Sequence, residues 1–158
     1  FDIAQKVENN TRTLAVAFTI ATHPVTGEAI STIPENEMVM GMGQHGEAGG
    51  KQMSMKRADE TADIMLHQLI EDLSVKRDEN LLVIINSAGA TTLMEMFIVF
   101  RRVQQTLGKK GINVLRNRIG EFITTQEQAG FQLNITRLDD TMTKFWDAPC
   151  DAPYFVMS

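Results

Sequence analysis

Leu81-Leu82-Val83-Ile84-Ile85, followed by Asn86-Ser87-Ala88-Gly89-Ala90-Thr91-Thr92, decides the fold. Five consecutive aliphatic residues suit a strand buried on both faces, because a strand with one wet face alternates instead. The seven small and polar residues that follow carry the chain to a helix start. Thr92 and Glu95 have capping-box spacing, in which each side chain bonds the other residue's backbone N–H. The helix is predicted to run to about Leu107 and to end at Gly108, after which Gly111 introduces a strand over residues 112–119.

Upstream of this strand-helix-strand unit, Ala58, Ala62, Met65, Leu66, Leu69, Ile70 and Leu73 recur at helical spacing, with Asp59, Glu60 and Asp63 near the positive end of the dipole. An amphipathic helix over residues 58–73 follows. Residues 37–43 and 12–20 read as strands, the latter bounded by a turn at His23-Pro24 and Gly27. Residues 1–11 read as the last turns of an amphipathic helix with Ile3, Ala4 and Val7 on one face and no N-cap, so the chain is expected to begin inside a larger protein. Downstream, residues 120–129 connect to an alternating strand over 131–138, Asp139, Asp140 or Thr141 caps a short helix reaching Trp146, and residues 147–158 look irregular. The order mixes hairpin-like and strand-helix-strand units. An α/β fold is therefore predicted, a mixed β-sheet with helices packed against it, rather than a purely doubly wound nucleotide fold.

A chain of 158 residues with 43% hydrophobic content suits one globular domain with a real core. Fifteen basic against twenty acidic residues give a net charge of −5 without a Lys/Arg cluster, which argues against nucleic acid or an anionic membrane as partner. The single cysteine, Cys150, cannot form an internal disulfide, and a reducing cytoplasm fits best. No apolar run approaches the roughly 20 residues of a membrane helix.

The chemistry concentrates in Met40-Gly41-Met42-Gly43-Gln44-His45-Gly46-Glu47-Ala48-Gly49-Gly50. Glycines let the backbone take positive φ and let a ligand come close, so His45 is the leading functional candidate, with Gly43, Gly46 and Glu47 as companions in its loop. A neutral imidazole serves as base, metal ligand or nucleophile, and Glu47 stands two residues on to orient it. His23 sits in a turn and His67 on a helix, with no second ligand at the right spacing, so no metal site is expected. Residues 86–92 precede a helix N-terminus, where backbone N–H groups can hold a polar ligand or phosphate. They match neither G-x-G-x-x-G nor G-x-x-x-x-G-K-[ST], so a plain capped turn is favoured and no nucleotide is expected in this chain. Met38, Met40 and Met42 alternate as core residues, and Phe145 and Trp146 are expected to anchor the tail.

Several segments carry a resemblance: residues 37–49, residues 86–92, Arg116-Asn117-Arg118-Ile119-Gly120, Leu138-Asp139-Asp140, and Trp146-Asp147-Ala148-Pro149. In order and spacing they resemble the C-terminal half of the substrate-binding domain of the dihydroxyacetone kinase family. The resemblance implies that His45 bonds covalently to the carbonyl carbon of dihydroxyacetone or a similar short ketose. It also implies a homodimer, a separate N-terminal half absent from this chain, and ATP-Mg or a phosphorylated partner on another domain or subunit, so this chain alone is expected to be inactive. Two positions depart from the family pattern: Ala48 replaces the usual proline, and Asn86-Ser87-Ala88 replaces Asn-Asn-Leu. A kinase for a four-carbon ketose such as erythrulose, a regulatory homologue without catalysis, and a purely structural or dimerisation module are the alternatives.

Overall fold

In the computed structural model, which describes residues 2–43, 50–153 and 155–157, α1 (Asp2–Asn9) leads into β1 (Thr11–Ala17), β2 (Glu37–Met40) and β3 (Lys51–Ser54). The chain continues through α2 (Ala58–Leu73), β4 (Asn80–Ser87), α3 (Leu93–Lys110), β5 (Asn113–Gly120) and β6 (Gly130–Leu138). It closes with α4 (Asp140–Trp146) and a hairpin of β7 (Cys150–Ala152) and β8 (Phe155–Met157). Six strands form one sheet in the order β3-β2-β1-β6-β4-β5, in which β4 and β5 are parallel and every other pair is antiparallel. The mixed α/β architecture expected from the sequence is the one observed.

The sheet has two unlike faces. On the front, Leu81, Val83 and Ile85 of β4 and Leu133 and Ile135 of β6 are fully buried against Met65, Leu66 and Leu69 of α2 and Val99, Val103 and Leu107 of α3. Asp63 and Arg102 tie the two helices together, with Arg102 Nε donating to Asp63 Oδ1 at 2.9 Å and Thr106 Oγ1 reaching the same oxygen at 3.0 Å. On the back, Leu82, Leu138 and Met142 form a smaller cluster with Ile3, Ile84 and Trp146, so α1 and α4 cover only part of that surface. The aliphatic run of β4 is thus buried from both sides, although by unequal amounts.

Several boundaries differ from expectation for physical reasons. Helix α3 passes through Gly108 and ends at Gly111, whose φ of 70° closes the helix in the left-handed region while its N–H bonds back to Gly108 O and Leu107 O. Strand β1 stops at Ala17 and β2 at Met40, earlier than their apolar composition predicts, because β1 pairs with β2 only through Val16 and Ala17. Strand β3 and the β7–β8 hairpin were not expected at all. The Thr92–Glu95 capping box is present: Glu95 Oε2 accepts from Thr92 N at 2.9 Å, and Thr92 Oγ1 accepts from Glu95 N at 3.4 Å.

Candidate functional site

His45, Gly46 and Glu47 lie outside the described residues, whereas Gly43 and the frame that carries them are described. Met40 faces Lys51 across the β2–β3 ladder, so the connecting loop leaves β2 and enters β3 at neighbouring positions. Gly41 starts that loop with φ 83°, a value glycine reaches without a Cβ clash, and its N–H bonds Ala15 O at 2.7 Å. Met42 then leans on the loop between β5 and β6, where Gln128 Nε2 approaches its sulfur at 3.8 Å. Gly43 lines a concavity of about 320 Å³ with Ile20, Thr22, Ser31, Thr125 and Gln128, a volume at the small end of ligand sites.

The loops around this concavity are fixed by polar side chains that the sequence places far apart. Asn86 is buried and grips the β5–β6 loop, its Nδ2 donating to Ile123 O at 2.7 Å and its Oδ1 accepting from Phe122 N and Ile123 N at 2.7 and 3.0 Å. Ser87 Oγ donates to Thr91 O at 2.7 Å and accepts from Gly89 N at 3.1 Å, folding the β4–α3 turn on itself. Gly89 has φ 141°, and a Cβ there would stand 1.8 Å from Gln126 O, so the two loops touch only because residue 89 has no side chain. Across the concavity, Thr22 N donates to Glu127 Oε1 at 2.6 Å. Hydrogen bonds from Thr22, its hydroxyl first, hold the Glu127 carboxyl below the usual carboxylate range.

The reading of residues 86–92 as a capped turn agrees with this geometry. Asn86 and Ser87 have their polar groups engaged in shaping loops, and the N-terminus of α3 already carries the Glu95 carboxylate. The Thr92 hydroxyl, then its backbone, keeps Glu95 ionised to lower pH than usual. A negative charge seated there disfavours a phosphate at the same amides. His23 Nδ1 accepts from Val25 N at 3.2 Å inside an exposed turn, and His67 lies 3.7 Å from Glu71 on the open face of α2.

Two of the segments that carry the resemblance, residues 116–120 and 146–149, meet in space. Arg116 of β5 clamps Asp147 at the end of α4 through two bonds of 2.8 and 2.7 Å, and Asp139 caps α4 by accepting from Met142 N at 2.9 Å. Lys6 of α1 pairs with Asp139 and is the main reason that its carboxyl titrates low. Trp146 does anchor the tail, edge-on to Phe155 at 6.2 Å, while Phe145 stays 61% exposed at the border of the same back-face surface. Met38 and Met40 are core residues as expected. Sequence reasoning missed Gln128 and Thr22 as wall residues, and Glu127 as the partner that holds Thr22. Thr22 and Glu127 stand 105 positions apart, and no local periodicity links them.

Set beside known proteins, the chain belongs to the Dak1 domain family, which matches residues 1–154. Among curated relatives it is 38% identical to the dihydroxyacetone-binding subunit DhaK of the PTS-dependent dihydroxyacetone kinase 2 of Listeria innocua serovar 6a, over 96% of this chain and 46% of that protein. It is 34% identical to the L-erythrulose kinase of Pectobacterium atrosepticum, over 98% of this chain and 27% of that protein. The chain therefore spans less than half the length of these relatives. Among solved structures, a dihydroxyacetone kinase operon co-activator, Dha-DhaQ, superposes with a TM-score of 0.86 at 22% identity, over 94% of this chain and 46% of the other. That likeness concerns the fold alone. No described helix is long and apolar enough to cross a membrane.

Proposed function

We propose that this chain is the ketose-anchoring part of a dihydroxyacetone kinase, with His45 as the covalent anchor. The observation that carries the reading is the placement of Gly43-Gln44-His45-Gly46-Glu47 within a chain that matches the Dak1 domain over residues 1–154. A neutral imidazole nitrogen adds to the ketone carbon, forming a C–N bond while the carbonyl π pair moves to oxygen. The proton lost from the ring nitrogen ends on that oxygen, giving a hemiaminal and leaving the terminal hydroxyl free as the phosphoryl acceptor. Glycerol, which has no carbonyl, is refused by this chemistry rather than by pocket shape.

The reading includes what lies outside the chain. A separate N-terminal half completes the substrate site, ATP-Mg or a phosphorylated partner sits on another domain or subunit, and the assembly is a cytoplasmic homodimer. The name of the Listeria relative favours the phosphotransferase-system donor. A four-carbon ketose is the second reading, favoured by the L-erythrulose kinase relative together with the departures at Ala48 and at Ser87-Ala88.

The test is carbon NMR of dihydroxyacetone labelled at its carbonyl, mixed with the protein in its full natural length. Conversion of the bound ketone signal to a tetrahedral one, lost in His45→Ala while stability shifts by less than about 0.5 kcal/mol, is the expected result. Undiminished capture by His45→Ala sinks the anchor, and capture of erythrulose in preference to dihydroxyacetone moves the second reading ahead.

A further inference from the structure

A concavity larger than the one beside Gly43 opens elsewhere on the molecule. It lies on the back of the sheet, about 540 Å³ in volume, floored by Leu82, Ile84 and Leu138 and walled by Ile3, Phe145 and Trp146. Its size falls within the roughly 300–1,000 Å³ of small-molecule sites, and like them it is mainly apolar with a few polar groups. The polar groups of the floor already have partners: Asn86 holds the β5–β6 loop, Thr13 bonds Asn134, and Thr136 meets Thr11 at 2.9 Å. They need nothing from a ligand.

One lining residue is different. Arg118 of β5 is the sole ionisable side chain among the described residues that border this groove. Its guanidinium carbon lies 4.7 Å from the centre of the Phe155 ring, over its face, and among the described residues no carboxylate pairs with it. Two positions earlier, Arg116 has its carboxylate in Asp147, so the neighbouring arginine shows what Arg118 lacks. A positioned cation at the end of an apolar trough is complementary to an anion that carries a hydrocarbon chain, because Arg matches carboxylate geometry in two parallel bonds. A neutral polypeptide segment laid on the same face leaves that charge unanswered.

We propose that the back-face groove binds a fatty carboxylate, its chain along Leu82, Ile84 and Leu138 and its head group at Arg118. This site is independent of His45 and of the ketose reading.

Trp146 is the only tryptophan of the chain and borders the groove, so its emission reports occupancy without a label. The protein is titrated with dodecanoate below its micellar concentration, and with dodecanol as the uncharged chain of equal length. Saturable change in Trp146 emission is expected, with dodecanoate bound about tenfold more tightly than dodecanol. Arg118→Gln is expected to abolish that preference and Arg118→Lys to keep most of it. Equal affinity for the two amphiphiles, unaltered by Arg118→Gln, reduces the binding to unspecific apolar contact and overturns the proposal. Unchanged emission with dodecanoate, in a chain that circular dichroism shows to be folded, overturns it as well and leaves the groove to a polypeptide cover.

Discussion

The two faces of one sheet solve different problems with adjacent residues of the same strands. On β4 and β6, Leu81, Val83, Ile85, Leu133 and Ile135 meet two long helices and are fully buried, while Leu82, Ile84, Gln132, Asn134 and Thr136 border a groove that α1 and α4 leave open. The front face is closed by shape and the back face is held by hydrogen bonds between neighbouring strands. Stability and site geometry are thereby assigned to opposite sides of a layer one residue thick.

A pair of truncations tests that division most sharply. Leu133→Ala on the front is expected to cost about 2–5 kcal/mol, the range for a large buried side chain whose cavity cannot collapse. Ile84→Ala on the back, where the side chain is only partly buried, is expected to cost roughly 1 kcal/mol. Urea unfolding of both variants decides the matter, and equal losses would mean that the groove is more tightly packed than its open wall implies.

Next in size is Asn86→Ala, which leaves the N–H groups of Phe122 and Ile123 without their acceptor. A loss of about 1–3 kcal/mol is expected, and amide exchange of those two residues should quicken more than that of the front-face strands. Unchanged protection at Phe122 and Ile123 would show that the loop is held by something other than Asn86.

The smallest effect concerns charge on the front. Arg102, as hydrogen-bond donor, holds the Asp63 carboxyl below its usual range. The folded pKa is thus depressed relative to about 3.9 in the unfolded chain, so the stabilisation is present above that value and is lost as pH falls through the folded one. The Asp63 side chain is 38% exposed, and solvent screening limits the contribution to a few tenths up to about 1 kcal/mol. Asp63→Asn should therefore lower the urea midpoint at neutral pH and match the unsubstituted protein once the pH has fallen below the folded pKa of Asp63. A deficit that persists in acid would point to packing rather than charge.

Much of this architecture is legible in the sequence where a single physical signal dominates. Continuous aliphatic residues gave away β4, helical spacing α2, and Thr92 with Glu95 the start of α3. Legibility fails where pairing replaces burial: Lys51-Gln52-Met53-Ser54 is polar and mostly exposed, and it is a strand only because β2 offers its edge. Gly108 misled as a helix end because Lys109 and Lys110 suit the negative end of the dipole and let the helix run on to Gly111. At the candidate site, glycine density drew attention to His45, yet the walls of the concavity beside Gly43 come from Thr22, Thr125 and Gln128, which only the fold assembles. The back-face groove had the weakest signature, since alternation along β6 reads as a solvated face until α1 and α4 are seen to border it.

The sheet order also sets a sequence of events in time. Strand β6 stands between β1 and β4, and it joins Thr11 to Thr136 across 125 positions. A nascent chain that has emerged only as far as β5 holds β4, α3 and β5 as one local unit, with β1, β2 and β3 as an unattached ribbon. Cooperative folding waits for the arrival of residues 130–138. Such long-range closure predicts folding slower than that of a helical bundle of equal length, with β1 exposed as a bare edge throughout synthesis.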